Sequence, residues 1–363
     1  MMAFISDTTG YDPASVRILL DTRRFSSEVG FKSIILSRKR RNLLEFYIRL
    51  LKFWPRASVV LCIYPYICEP VVQTHNPLRL FEINILALLI SFFNRKKLSI
   101  LYIVDLPIEQ SMAFFPGIRI SKISYNIERR ILSSFDILCV FNDWMERQIR
   151  LKYKLSKNRF VQFEILDYGI HTDIWMPKKG AQNAWRIAYV TSGMEDGQHT
   201  NWIRQLPSSS RVKYVFFGKG GEWINTTGRE DFLYIGFLSS RKLAACLSEE
   251  AEFGLVCKGF QSDVVEYHAF GSTSKFSAYL TAGLPILVPS EYSYVAALVR
   301  KYQIGFTFNS LNDIPTLLSR ISWEEYLGIR DNCIRLGKEI SQGSFFKKAV
   351  SIALGIVGLI HQS

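Results

Sequence analysis

The stretch Gly271-Ser-Thr-Ser-Lys275-Phe-Ser-Ala-Tyr279-Leu-Thr-Ala-Gly283-Leu-Pro285-Ile-Leu-Val288 predicts a helix followed by a strand. Polar residues suited to capping precede the helix, Gly283 ends it, and Pro285 leads into the strand. The start of a helix offers unpaired N–H groups and the positive end of its dipole, and Lys275 adds an ammonium group there. This combination suits a diphosphate, whereas the alternative is an ordinary capped helix with Lys275 in solvent.

The residues on both sides of this stretch continue the alternation of helix and strand. Six short apolar segments are predicted to be strands: Arg186–Thr191, Val212–Phe217, Phe232–Ile235, Phe253–Cys257, Ile286–Val288 and Phe306–Phe308. Continuous apolar strands separated by helices predict a parallel sheet covered on both faces. We therefore expect a Rossmann-like domain over residues 185–343.

The first half of the chain shows the same pattern. Its predicted strands are Met2–Ile5, Ile34–Ser37, Ser58–Tyr64, Leu98–Val104, Ile137–Phe141 and Val161–Leu166. A length of 363 residues also exceeds what one hydrophobic core usually supports. The sequence thus predicts an α/β protein of the GT-B plan, with two Rossmann-like, doubly wound domains facing a central cleft.

The boundaries of these domains follow from local composition. A polar stretch with Gly169, Pro177 and Gly180 predicts a linker over 169–184, which leaves 1–168 as the first domain. Residues 344–363 form a helix that is apolar on most faces, so we expect it to be buried by packing back across the domain junction.

The second half resembles the C-terminal domain of the bacterial glucosyltransferase-3-like family, which includes galactofuranosyltransferase-like relatives. The matching residues, in order, are Phe253-Gly-Leu-Val-Cys257-Lys-Gly259, Glu266-Tyr267, Ser272 to Val288, Ile304-Gly305 and Ser310-Leu311. Weaker matches lie in the first half, at Glu128, Phe135-Asp136, Asn142, Met145 and Glu164 to Tyr168. The resemblance implies a GT-B glycosyltransferase that moves a hexosyl residue from a nucleotide-diphosphate sugar, with UDP-sugars expected first, to a glycan or glycoconjugate acceptor.

Some positions depart from the family pattern. Cys257 replaces a tryptophan, Lys258 replaces an acidic residue, and Thr273-Ser274 replaces Pro-His. In the first half, Val104-Asp105 stands where the family has His-Asp. These departures keep open an alternative, a degenerate, non-catalytic GT-B protein that acts as a binding or scaffolding partner.

Donor-binding residues are expected in the second domain. Lys275 is predicted to pair with the donor diphosphate, because a cation stabilises the charge that grows on the leaving group. The other predicted donor-site residues are Thr273, Ser274, Tyr279, Tyr267, Gly193 and Phe237, the last of which could flank the nucleotide base.

Acceptor-binding residues are expected in the first domain, where ligands bind beyond the carboxyl ends of strands. Asp105 follows the apolar strand Leu98–Val104 and is the candidate catalytic base that takes the proton of the acceptor hydroxyl. Its alternative role is to cap a helix that begins near Pro107. Asp7 and Thr8, after the first strand, are predicted to orient the acceptor.

Several other classes of site are excluded by missing motifs. There is no Asp-x-Asp motif, and the five histidines have no ligand spacing, so neither metal nor cofactor is expected. Neither a dinucleotide-binding nor a P-loop glycine motif is present. The six cysteines lack paired spacing and indicate reduced thiols in a cytoplasmic protein.

The charge balance predicts anionic partners. The chain has 45 Lys and Arg against 32 Asp and Glu, a net charge of +13. Nucleotide sugars, a lipid-linked, glycoprotein or glycan acceptor, and peripheral contact with the inner face of an anionic membrane all fit this charge. Nucleic acid fits less well, because the aromatic residues lie in core-like runs and not among the basic clusters. Neither the beginning of the sequence nor its longest apolar runs predict a signal peptide or a membrane span.

Overall fold

The computed structural model describes residues 1–7, 13–36, 51–52, 54–65, 77–94, 98–114, 120–170, 184–197 and 200–360. The chain divides into two compact units. The first contains Met1–Tyr11, Ile18–Leu166 and Gly343–Ser363, and the second contains Asp12–Arg17 and Asp167–Gln342. Most of the predicted linker, residues 171–183, lies outside the described part of the chain.

The first unit is built on a six-stranded parallel sheet. Its strands are β1 (Met2–Asp7), β2 (Lys32–Leu36), β3 (Val59–Tyr64), β4 (Leu98–Ile103), β5 (Ile137–Val140) and β6 (Arg159–Gln162), in the order β2-β1-β3-β4-β5-β6. Its described helices are α1 (Pro13–Glu28), α2 (Pro77–Asn94), α3 (Pro107–Phe114), α4 (Lys122–Ser133) and α5 (Asp143–Tyr153), with a short 3-10 helix at Trp54–Arg56.

The second unit has its own six-stranded parallel sheet. The strands are β7 (Trp185–Gly193), β8 (Val212–Lys219), β9 (Phe232–Gly236), β10 (Phe253–Leu255), β11 (Ile286–Pro289) and β12 (Gly305–Phe308), in the order β12-β11-β10-β7-β8-β9. The helices are α6 (Ser240–Glu250), α7 (Ser262–Tyr267), α8 (Ser274–Thr281), α9 (Ser293–Tyr302), α10 (Asp313–Ser319) and α11 (Trp323–Ser341), with 3-10 helices at Asn201–Gln205 and Glu222–Thr226. This strand order is that of a dinucleotide-binding Rossmann sheet.

The strands form where the apolar runs predicted them. Every residue of β5 and β11 is buried, as expected for strands covered on both faces. The sixth strand differs, because it spans Arg159–Gln162 and not Val161–Leu166. Glu164 adopts a left-handed conformation with φ of 65°, which turns the apolar residues after it out of the sheet.

The last helix, α12 (Ser344–Ile360), packs on the first unit, next to β5 and β6. Phe346 contacts Tyr102 at a ring-centroid distance of 5.1 Å and Phe25 at 6.2 Å. Gly343 precedes the helix with φ of +73°, and a Cβ there would lie 2.4 Å from the Phe25 ring, so only glycine fits.

None of the helices in the described residues has the length and hydropathy needed to cross a membrane. Cytoplasmic location and contact with an anionic membrane remain predictions from the sequence.

Candidate functional site

The candidate site of the second unit lies where the strand order reverses, between β7 and β10. The two strands pair at Phe253 and Gly254, and the Tyr279 hydroxyl lies just beyond that pairing. It accepts a hydrogen bond from the Val190 N–H at 2.9 Å and donates to the Leu255 carbonyl at 3.2 Å. Open α/β sheets bind ligands at such a point of strand divergence.

Tyr279 therefore holds the two strand ends in place. Its ring fills the space over Gly254, where a Cβ would lie 2.3 Å from the ring. Because backbone groups engage the hydroxyl, the structure gives Tyr279 a positioning role, and its direct contact with a donor stays a prediction.

Helix α8 begins at this point and is capped as the sequence predicts. Thr273 is the N-cap, with extended backbone and an Oγ1 that accepts from the Phe276 N–H at 3.4 Å. Ser274, the first helical residue, is half-buried. The remaining N–H groups of the first turn give this end of the helix a partial positive charge.

Lys275 lies in that first turn, but it is not the solvated lysine of the alternative interpretation. The side chain is buried, with 8% relative exposure, and within the described residues its Nζ has no hydrogen-bond partner. The ammonium lies 4.4 Å from the centroid of the Tyr189 ring. Burial, and then the neighbouring Lys258, hold the pKa of Lys275 well below its ordinary value.

Within the described structure, the Cys257 thiol acts on Lys275 but does not supply a counter-charge to it. Burial raises the pKa of the Cys257 thiol to about 11, so this thiol is neutral at pH 7. An uncompensated buried cation is costly, and an anion that enters the site would remove that cost.

Tyr292 holds the backbone of the loop that follows β10. Its hydroxyl accepts from the Lys258 N–H at 3.0 Å and donates to the Gly259 carbonyl at 2.7 Å. His268 stacks on the Tyr292 ring at 4.0 Å, and its Nδ1 lies 2.7 Å from the Val264 carbonyl. The His268 imidazole is buried, and this burial lowers its pKa to about 3.

Three other predicted donor-site residues lie on neighbouring segments of the second unit. Gly193 ends β7 opposite Lys219, where a Cβ would lie 2.6 Å from a Glu195 carboxylate oxygen. Phe237 directly follows β9, is 42% exposed, and has the Lys219 ammonium 5.0 Å from its ring centroid. Tyr267 is half-buried at the end of α7, beside His268.

In the first unit, Asp105 lies between β4 and α3. Its Oδ1 accepts from the Leu106 N–H at 2.9 Å, and its Oδ2 accepts from the Gln110 side chain. The half-buried carboxylate is therefore fixed in orientation at the carboxyl end of the sheet, which is compatible with both predicted roles. Asp7 ends β1 and pairs with Leu36 in the sheet, and Thr8 lies outside the described residues.

Glu128, one of the residues in the weaker sequence matches, lies in a cluster with Tyr64, Tyr153 and Glu109. Tyr64 and Tyr153 donate hydrogen bonds to its two carboxyl oxygens. Glu109, which pairs with Lys152, lies on the other side of the Tyr153 hydroxyl. Burial, and then the Glu109 charge, raise the pKa of Glu128 from 4.5 to about 8.

Glu128→Gln is expected to change how stability depends on pH. Folded protein keeps the Glu128 proton up to about pH 8, whereas unfolded chain releases it near 4.5. Its contribution to stability is therefore complete below pH 4.5 and is lost as pH rises toward 8. We expect the melting temperature of Glu128→Gln, relative to wild type, to rise between pH 5 and 8, as measured by calorimetry. Exposed Glu339→Gln is the control, and parallel curves for wild type and Glu128→Gln would contradict the assignment.

No group of three or more His, Cys, Asp or Glu side chains among the described residues could hold a metal ion. The positive charges of the candidate site come from lysines and the α8 terminus.

Comparison with known proteins shows a sequence similarity in the second half of the chain. Residues 189–353 match the family model of the glucosyltransferase 3-like C-terminal domain. Glucosyltransferase 3 of Streptococcus gordonii is 30% identical over 119 residues, which are 32% of this chain and 35% of that protein. The match thus spans about a third of the length of this curated relative.

Solved structures of other proteins resemble nearly the whole chain, and two examples show the extent of the likeness. An α-glucosyltransferase in complex with UDP gives a TM-score of 0.61 at 11% identity, covering 98% of this chain and 100% of that one. Sucrose-phosphate synthase from Thermosynechococcus elongatus gives 0.55 at 12% identity, covering 100% and 99%. At such identities the likeness shows the fold, which is the GT-B glycosyltransferase fold predicted from the sequence. Residues 189–353, within the second unit and the last helix, are similar to the C-terminal domain of the glucosyltransferase 3-like family.

The sequence did not predict the contact of Tyr189 with Lys275, the effect of Lys258 on the pKa of Lys275, or the hydrogen bonds of Tyr292 to the loop after β10. One sequence feature points to Lys258: it is a basic residue that, together with Gly259, directly follows an apolar strand. No sequence feature points to Tyr189 or Tyr292, because aromatic residues in apolar runs usually belong to the core.

Proposed function

We propose that this chain is a glycosyltransferase that moves a hexosyl residue from a nucleotide-diphosphate sugar, with UDP-sugars first, to a glycan or glycoconjugate acceptor. The observation that carries this proposal is the buried ammonium of Lys275 at the start of α8, at the reversal point of a Rossmann sheet. The similarity to a UDP-bound glucosyltransferase supports the choice of nucleotide.

The reaction needs stabilisation of the leaving group. When the bond between the anomeric carbon and the diphosphate breaks, negative charge grows on the diphosphate. Lys275 and the N–H groups at the start of α8 supply positive charge at one point, which stabilises the transition state more than the ground state. Phe237, exposed beyond β9, supplies an apolar face for the base.

The acceptor is assigned to the first unit, with Asp105 as the general base. An attacking hydroxyl loses its proton as the new glycosidic bond forms, and a carboxylate within hydrogen-bond reach can accept that proton. The two hydrogen bonds from Leu106 and Gln110 hold the Asp105 carboxylate in one orientation.

Release of free UDP tests the proposal. The protein is incubated with UDP-glucose, UDP-galactose and GDP-mannose, with and without a panel of glycans and aryl glycosides, and products are identified by mass spectrometry. A glycosylated acceptor formed together with UDP supports the proposal. Nucleotide binding with no transfer to any acceptor would favour the non-catalytic alternative.

Metal independence is part of the proposed mechanism, because the lysine and the helix terminus take the place of a divalent cation at the diphosphate. We expect an excess of EDTA to leave the initial transfer rate within about twofold of the untreated rate, a change in barrier smaller than RT. Loss of transfer in EDTA, with recovery on adding Mn²⁺ or Mg²⁺, would contradict it.

A further inference from the structure

A cavity of about 470 Å³ lies in the first unit beside helices α3, α4 and α5. None of the described residues that line it is assigned to the proposed reaction, so the proposed function leaves this cavity without a role. A ligand with both an apolar and an anionic part would match its lining. Apolar and basic side chains line it together: Ile108, Met112, Ile120, Tyr125, Lys122 and Lys152.

Two large apolar side chains are exposed at this end of the first unit. Met112 lines the cavity and is 50% exposed. Ile123 is 57% exposed and lies in the first turn of α4, in sequence between the lining residues Lys122 and Tyr125. Both side chains leave apolar area in water, and its burial among lipid headgroups is favourable.

The exposed side of α4 is basic. Lys122, Asn126 and Arg129 are all exposed, and their spacing of four and three residues places them on one side of the helix. In the part of the chain that the structure describes, the side chains of Lys122 and Arg129 form no ion pair. Their charges are therefore available to an anionic partner.

The carboxyl groups near this side of α4 are turned inward. Glu128 is buried and receives hydrogen bonds from the Tyr64 and Tyr153 hydroxyls. The Glu109 side chain is largely buried and pairs with Lys152. None of the described residues that line the cavity is acidic. Basic and apolar groups are thus presented together, and their charge complements an anionic surface.

We propose that Met112, Lys122, Ile123 and Arg129, here called the α3–α4 surface, dock the protein on the anionic phospholipid surface of a membrane. Lys122 and Arg129 contact lipid phosphates. Met112 and Ile123 enter the layer of headgroups and upper acyl chains, and the cavity takes up part of one lipid.

A membrane fits this surface better than a soluble anion does. A soluble anion would engage the two cations and leave both exposed apolar side chains in water, whereas a lipid surface engages the cations and the apolar side chains at once. The inference is independent of the proposed function, because membrane binding needs neither nucleotide nor glycosyl transfer.

The test is flotation of the full chain with vesicles at about 0.1 M salt, made of phosphatidylcholine alone or with about one-third phosphatidylglycerol. Wild type is expected to bind the phosphatidylglycerol vesicles at least about tenfold more tightly, because neutral vesicles do not attract the two cations. The double variants Lys122→Ala with Arg129→Ala, and Met112→Ser with Ile123→Ser, are each expected to weaken this binding by about tenfold or more. Their melting temperatures should match that of wild type, because all four side chains are exposed.

The matched controls replace exposed residues of the second unit. Arg241→Ala with Lys338→Ala removes the same two kinds of charge, and Leu233→Ser removes an exposed apolar side chain. Both should bind vesicles as wild type does. Absence of binding by wild type, equal binding to both kinds of vesicle, unchanged affinity in either double variant of the α3–α4 surface, or equal losses in the controls would overturn the inference. A wild-type dimer that Met112→Ser with Ile123→Ser dissociates, without vesicle binding, would assign the surface to a second copy and would also overturn it.

Discussion

Replacing Lys275 by methionine is expected to lower the rate of glycosyl transfer by roughly 10²-fold or more, the loss typical when a donor to a developing negative charge is removed. Methionine keeps much of the lysine volume, so the packing against Tyr189 changes little. The rate is measured as release of UDP from the preferred UDP-sugar under saturating acceptor.

The same variant should not lose stability. Wild type carries a buried ammonium without a hydrogen-bond partner in the described structure, and methionine removes its desolvation cost. We expect the melting temperature of the ligand-free variant to equal or exceed that of wild type, as when a functional site costs stability. Lys338→Met is the control. A Lys275→Met protein with wild-type turnover would return Lys275 to a purely structural role.

Asp105→Asn is expected to remove most transfer activity and to leave nucleotide affinity unchanged. Asparagine keeps the oxygen that accepts the Leu106 N–H, but its amide is a far weaker base than a carboxylate. We expect a fall in kcat of about 10² to 10⁴-fold, the range for loss of a general base. The measurement is steady-state kinetics at saturating donor, with UDP affinity determined in parallel.

Gln110→Ala provides the matched control for Asp105→Asn. It removes the hydrogen bond from the Gln110 side chain to Oδ2 and leaves the carboxylate in place. Base catalysis predicts a much larger loss of kcat in Asp105→Asn than in Gln110→Ala. Near-native turnover of Asp105→Asn, or equal losses in the two variants, would assign Asp105 to holding the start of α3.

The fold could be predicted from the sequence because both sheets are parallel and covered on two faces. Strands such as β5 and β11 are then continuous apolar runs that stand out against helical periodicity. The sixth strand was misplaced because Phe163 and Ile165 are buried although the strand ends at Gln162, and burial alone does not distinguish a strand from an apolar loop.

The candidate site was predictable only in part. The capped start of α8 and its lysine are local features, readable from Thr273 to Lys275. The contact of Lys275 with Tyr189 joins residues far apart in sequence and depends on which strand ends meet at the reversal point. The burial of His268 likewise depends on Tyr292, which belongs to another helix cap. Such contacts follow from topology and not from local composition.

The most direct test of the donor site is a thermal-shift titration in EDTA with UDP, a UDP-sugar panel, UMP and ATP, on wild type and Lys275→Met. A ligand at 100 times its Kd stabilises a folded protein by about 2.7 kcal/mol, which gives a measurable rise in melting temperature. We predict a saturable rise for wild type with UDP and at least one UDP-sugar, and little or none for Lys275→Met. Equal shifts in the two proteins, or no shift of wild type with any nucleotide, would contradict a nucleotide-sugar site at Lys275.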